Sequence, residues 1–306
     1  MELRQLHYFV TVVEDGGFTR AAARLHLSQP GLSAQIRRLE RELGQPLLDR
    51  SGRAVTPTEV GRAVLPYARA ALAAVDAVRQ TVDEYTGLLR GRVTLGLVSG
   101  ATGHAFDVAS FLADFHDAHP AVEISLVEDT SERMQAALMA GELDLALLGP
   151  TEETPPPGVS YRTVIDEPLA VAVAPASRLL ARASRTGVPL AELRDQPLIS
   201  LPRGTGVRAV LERACAQAGF RPQVAFEAAA PHVLAQLAAR GLGVAVLPAG
   251  DGLPAPGGGL RTLPIVEPEL RCRVVLACRA AGPASPAARV LLGLLREALP
   301  KAPGRP

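Results

Sequence analysis

The hydrophobic period of this chain changes once, near Gly91, and that change limits what it can fold into. Before Gly91, apolar residues recur every three or four positions, as on amphipathic helices. After it, short apolar runs alternate with helical patterns. The first ninety residues therefore predict helices, ending in one long helix. The remainder predicts an α/β domain with a largely parallel sheet.

Leu3, Leu6, Phe9, Val10 and Val13 mark a first helix that Gly16-Gly17 stops. Thr19 is placed to cap a second, short helix from Arg20 to Leu25, whose alanines allow close approach. Ser28 is placed to cap a third, with Pro30 in its first turn and Gly44 at its end. Its core stripe is Leu32, Ile36, Leu39 and Leu43, and its outer face carries Gln29, Ser33, Gln35, Arg37 and Arg38. A short helix, a tight turn and a helix with an amide-rich, basic face describe a helix-turn-helix. In that reading Ser28, Gln29, Ser33 and Gln35 meet base edges, Arg37 and Arg38 hold phosphates, and Pro30 also lies against the DNA. Arg50-Ser51-Gly52-Arg53 reads as a hairpin tip, a wing with Arg50 and Arg53 for the flanking groove. The alternative is a small helical core with a solvated charged face. Because seven acids offset eight arginines within residues 1–61, the case rests on placement rather than net charge.

The segment HYFVTVVEDGGFTRAAARLHLSQPGLSAQIRRLERELGQPLLDRSGRAVTPTEVG closely resembles the amino-terminal signature of LysR-type transcriptional regulators. The likeness runs without a gap through about sixty residues, and the layout that follows is that of the family's effector domain. One departure is Ala34, where many relatives carry Arg or Lys. The resemblance implies a homodimer or homotetramer on double-stranded DNA, each dimer reading an interrupted palindrome, a T–A box separated by about eleven bases. A small-molecule effector is implied, and RNA polymerase is a candidate partner. No membrane, cofactor, metal or catalytic role is expected.

Thr56-Pro57-Thr58-Glu59 reads as a capping box opening a helix that runs to about Leu89. Leu65, Ala68, Leu72, Val75, Val82 and Leu89 follow a seven-residue spacing, broken by Arg79. A small wing unit alone cannot bury such a stripe, so pairing with a second subunit is expected; packing on the chain's own sensor domain is the alternative. The expected domains are residues 1–61 for DNA binding, 62–90 for the linker and dimer helix, and 91–306 for the effector. The last divides into lobe I (91–162 and 268–306) and lobe II (163–267), like periplasmic solute-binding proteins, with crossings near Arg162–Val164 and Pro264–Pro268.

Ligands of such folds sit at strand carboxyl ends, where helix amino termini point inward. Ser99 and Thr102 follow the first strand, Leu148 ends the third, and Leu201, Arg203 and Thr205 open a helix after PLISLP. His232 begins another helix. Hydroxyls, a cation and two helix starts favour a small organic anion, its apolar remainder against Leu148 and Leu201. Ordinary turn and capping chemistry is the competing reading for each residue. Gly204-Thr-Gly206-Val-Arg-Ala209, with Glu227 beyond, also fits a dinucleotide fingerprint, but it does not open the sheet and no acid, base or metal site accompanies it.

Composition adds exclusions. The formal net charge is +1, no segment reaches membrane-spanning length, and the start has acids within its apolar stretch, which is unlike a signal peptide. Cys215, Cys272 and Cys278 have no metal-ligand spacing. A cytoplasmic protein follows as the expectation, and Cys215 reads as a packing residue rather than a thiol switch.

Overall fold

The computed structural model describes residues 1–52, 54–85, 89–98, 107–184, 186–249 and 259–299, without the side chains of 76, 77 and 79–85. The amino-terminal unit comprises α1 (Leu3–Asp15), α2 (Phe18–Arg24), α3 (Gln29–Leu43), a hairpin of β1 (Leu48–Asp49) and β2 (Thr56–Pro57), and the long α4 (Glu59–Tyr85). Gly16 (φ 62°) and Gly44 (φ 72°) close α1 and α3 in the left-handed conformation that glycine adopts without strain. Ser28 caps α3 as expected, its Oγ accepting from the Gly31 N–H at 3.3 Å.

Two expected caps are displaced. Helix α2 begins at Phe18 with no side-chain cap, so Thr19 lies inside it. Thr56 and Pro57 pair with Asp49 and Leu48 across the hairpin and cannot start a helix. The cap of α4 is instead Thr58, whose hydroxyl accepts from the Gly61 N–H at 3.0 Å and donates to Pro46 O at 2.7 Å. Gly61 is required here: a Cβ would stand 2.0 Å from the Leu47 carbonyl oxygen.

Phe9, Leu32, Ile36, Leu39 and Leu47 form the centre of this unit's core, and Ala68 completes it, with Leu65 and Leu72 half-buried against it. Much of the stripe expected to face a second subunit therefore covers the chain's own amino-terminal core. Another face of α4 is open: Val60, Tyr67 and Val78 are 38%, 78% and 66% exposed. Ala63, Ala70 and Ala74 lie between them, also exposed. Leu43, expected in the α3 core stripe, is likewise exposed, because it stands beside the terminating Gly44.

The sensor part contains β3 (Gly91–Leu97), α5 (Val108–Ala118), β4 (Val122–Glu128), α6 (Ser131–Ala140), β5 (Leu145–Leu148), β6 (Val159–Val173), β7 (Val188–Pro189), β8 (Leu198–Ser200), α7 (Gly206–Gln217), β9 (Val224–Glu227), α8 (Pro231–Ala239), β10 (Val244–Pro248), β11 (Arg261–Val266), β12 (Arg271–Arg279) and α9 (Pro286–Ala298). Sheet order is β4-β3-β5-β12-β6-β10-β8-β9, with β11 also on β6 and β7 on β11. The flanking pairs β3/β4, β3/β5, β8/β9 and β8/β10 are parallel, but β6 and β12 run antiparallel through the middle. A chain that leaves one lobe on β6 and returns on β12 must reverse direction there.

Strand β6 pairs with β12 as far as Pro168 and with β10 and β11 from Leu169 onward. The first change of partner thus falls beyond Arg162–Val164, inside one uninterrupted strand. The return follows Val266, through a cis Glu267–Pro268 bond. Lobe I is packed on both sheet faces, by Leu95, Phe115 and Leu291 on one and by Met134, Leu138 and Leu148 on the other. Lobe II packs Val171, Leu198, Leu211, Leu234 and Val246.

Candidate functional site

Two surfaces carry the candidate residues. On α3, Ser28, Gln29, Pro30, Arg37 and Arg38 are exposed, and Gln35 is half-buried. Ser33 is 8% exposed, on the core side of the helix one residue from Leu32, and has little surface to offer a base edge. The outward strip runs through Pro30, Ala34, Arg37, Arg38 and Arg41. Arg41 repeats Arg37 one turn on, a spacing that could have revealed it from sequence. The small side chain of Ala34 leaves the middle of the strip low.

Arg50 is held rather than free. Its Nη2 lies 2.8 Å from Glu40 Oε2, and its guanidinium sits 4.9 Å from the centre of the Phe18 ring. Oε1 of the same glutamate accepts from the Leu47 and Leu48 N–H groups at 3.0 and 3.1 Å. Glu40 thereby fastens the wing to α3 and uses Arg50 as its counter-ion. Arg53 lies outside the described residues.

Between the lobes, the loop leading into α7 meets the start of α6. The Glu132 N–H donates to Gly204 O at 3.0 Å across the junction, and within lobe I the Gly149 N–H donates to Ser131 Oγ at 3.1 Å. A Cβ on Gly206 would stand 2.8 Å from the Gly149 carbonyl, so the lobes touch there backbone to backbone. Beside the contact is a cavity of about 600 Å³, whose charged lining residues are Glu132, Glu152, Arg208, Glu212 and Arg213.

Among the described residues, the expected effector residues are not brought together as one set. Ser99 and Thr102 lie outside the described residues. Leu148 is fully buried in the lobe I core and Leu201 is 7% exposed in that of lobe II, so neither offers a ready apolar wall. Thr205 precedes α7, but its hydroxyl donates to Pro202 O at 2.7 Å, and no side chain caps that helix. Arg203 is 80% exposed and 3.5 Å from Glu212. His232 is exposed in the first turn of α8 and is not among the cavity-lining residues.

The most enclosed charge lining this cavity is Arg208, an unassigned position of the fingerprint in the sequence, and its partners all lie within lobe II. Its side chain is 5% exposed; Nε meets Glu212 at 2.8 Å, Nη1 meets Glu227 at 2.7 Å, and the same nitrogen reaches Leu201 O at 3.4 Å. Glu227, the acid a nucleotide ribose would need, is already engaged. All three cysteines are buried. Burial, aided by Glu212, pushes the Cys215 thiol up to about 11, and burial with the Glu167 charge pushes Cys272 up to about 12. Neither is a ready thiolate.

Residues 3–62 match the family model described as bacterial regulatory helix-turn-helix protein, lysR family, and residues 86–300 match that of the LysR substrate binding domain. The chain is similar to the HTH-type transcriptional regulator ShiR of Corynebacterium glutamicum (35% identical over 277 residues; 89% of this chain, 91% of the relative). It is also similar to the hydrogen peroxide-inducible genes activator of Escherichia coli (31% over 287 residues; 92% and 91%). Among solved structures, a full-length OxyR from Pseudomonas aeruginosa superposes with a TM-score of 0.73 at 26% identity, covering 100% of this chain and 99% of the other.

Proposed function

Because this chain belongs to the LysR family of DNA-binding transcriptional regulators, we propose that it reads an interrupted palindrome as a dimer or tetramer, under the control of a small organic anion held where its lobes meet. Base reading falls to Gln29 and Gln35 on α3, and phosphate contact to Arg37, Arg38 and Arg41. RNA polymerase is the partner on which such a regulator would act. The open face of α4, through Val60, Tyr67 and Val78, is the surface offered to a second copy.

The observation that carries the effector reading is the uncapped amino terminus of α7 with Arg203 beside it. The first N–H groups of a helix have no partner within it and favour negative charge. The adjoining cavity is flanked by Glu132, Glu152 and Glu212. A ligand whose acid takes the α7 N–H groups while its hydroxyl or amine donors meet those carboxylates suits both features. Peroxide chemistry at a thiol is disfavoured by the burial and raised thiols of Cys215 and Cys272.

The test is thermal unfolding of the whole chain against a panel of small carboxylic acids, half of them bearing a hydroxyl or amine. An effector at a hundred times its dissociation constant adds about 2.7 kcal/mol. Arg203→Ala should shrink that gain. Stabilisation by cationic or wholly apolar compounds alone would overturn the reading.

A further inference from the structure

We infer that Arg69 is a positioning residue for DNA binding, fixing the reading unit to the sensor domain so that two copies of α3 reach one operator at a set spacing. Arg69 projects from α4 and is only 17% exposed for a charged side chain. It has two acidic partners from different parts of the molecule. Nη2 lies 3.7 Å from Glu14 at the end of α1, and Nη1 donates to Glu142 of lobe I. Glu14 is itself paired to Arg24 of α2 at 2.7 Å, and Asp15 to the same arginine at 3.1 Å. One arginine therefore links the helix-turn-helix, the long helix and the sensor domain.

The sensor side of this link is built to hold its place. Glu142 follows Gly141, the left-handed cap of α6, and its N–H donates to Ala137 O at 2.8 Å. Leu143 is buried next to it, and Asp144 accepts from the Thr94 N–H at 2.9 Å. The ten residues of α6 span about 15 Å. At its other end the Glu132 N–H bonds to Gly204 of lobe II. One short helix thus runs from the lobe junction to the arginine on the reading unit. A movement at the junction reaches α4 through a rigid element rather than through a loop.

The consequence concerns affinity for paired half-sites, and it rests on the dimer reading above. Holding each reading unit against its sensor domain removes orientations that would not fit a second half-site, which matters only when both are engaged. The experiment compares the full chain with Arg69→Ala, Glu142→Ala and the double variant, on DNA from upstream of its own gene trimmed to one or to two half-sites. Each single variant should weaken two-half-site binding about two- to fivefold, the upper range of one partly exposed ion pair. One-half-site binding should be unchanged, and the double variant should be no weaker than the worse single one. Losses that multiply in the double variant, an equal loss on one half-site, or no loss at all would each overturn the proposal. Glu142 lies in an exposed turn, so Glu142→Ala carries the test even if Arg69→Ala folds poorly. If the unaltered chain binds two half-sites no better than one, the dimer reading fails first, and separately.

Discussion

The reading helix and the lobe junction differ in how far apart in sequence their determinants lie. On α3, the cap, the core stripe and the outward arginines all lie within sixteen residues, Ser28 to Leu43, and helical geometry alone sorts inside from outside. At the junction, Glu132 meets Gly204 and Gly149 meets Gly206, and beside it, within lobe II, Arg208 meets Glu227. No local period predicts those meetings. A surface made by one helix is legible in a sequence, and one made by the closure of a sheet is not.

The largest effect expected from breaking that contrast is on α4, where part of the stripe that the sequence assigns to a dimer seam packs on the chain's own amino-terminal core. Tyr67→Asp with Val78→Asp changes only exposed positions, so each subunit should still fold. Loss of the second subunit should cost about a hundredfold in two-half-site affinity, with monomers seen by light scattering. A full-sized oligomer in the double variant would return the interface to Leu72 and Val75 or move it elsewhere.

A smaller effect sharpens the other side. Gly206→Ala places a Cβ 2.8 Å from the Gly149 carbonyl and should destabilise the sensor domain by about 1–3 kcal/mol in thermal unfolding. Gly149→Ala meets nothing closer than 3.4 Å and should be tolerated. Equal behaviour of the two variants would mean that the lobes do not meet backbone to backbone in solution.

The smallest effect belongs to the residue that looked most chemical in the sequence. Arg203→Ala removes an 80% exposed guanidinium and one loose ion pair, so unfolding should change by less than about 0.5 kcal/mol. A larger loss would show Arg203 holding lobe II together as Arg208 does, and would weaken its case as a ligand contact.

Much of the fold was legible because its signals are short-range. Gly16, Ser28 and Gly44 act through bonds to residues within four positions, and β3, β4, β5, β8, β9, β10, β12 and the second half of β6 announce themselves as apolar runs, whereas the two-residue β7 does not. Ser33 was misplaced because a polar residue one position from Leu32 can fall on either side of the stripe's edge. Thr56 was misread because its sheet partner Asp49 outweighs a capping pattern that Thr58 satisfies equally well.

What the sequence determined by itself is the series of helices and strands, the reading helix and its family. The tertiary structure decided which face of α4 the protein covers with its own core, which acids answer Arg50 and Arg208, and where β6 changes partners. Arg271 shows the reason: its Nε binds Asp166, 105 positions away, at 2.8 Å, across the paired strands β6 and β12. Helix caps and periods are properties of neighbouring residues, whereas a charge on a strand is answered by whatever the pairing of the sheet brings beside it.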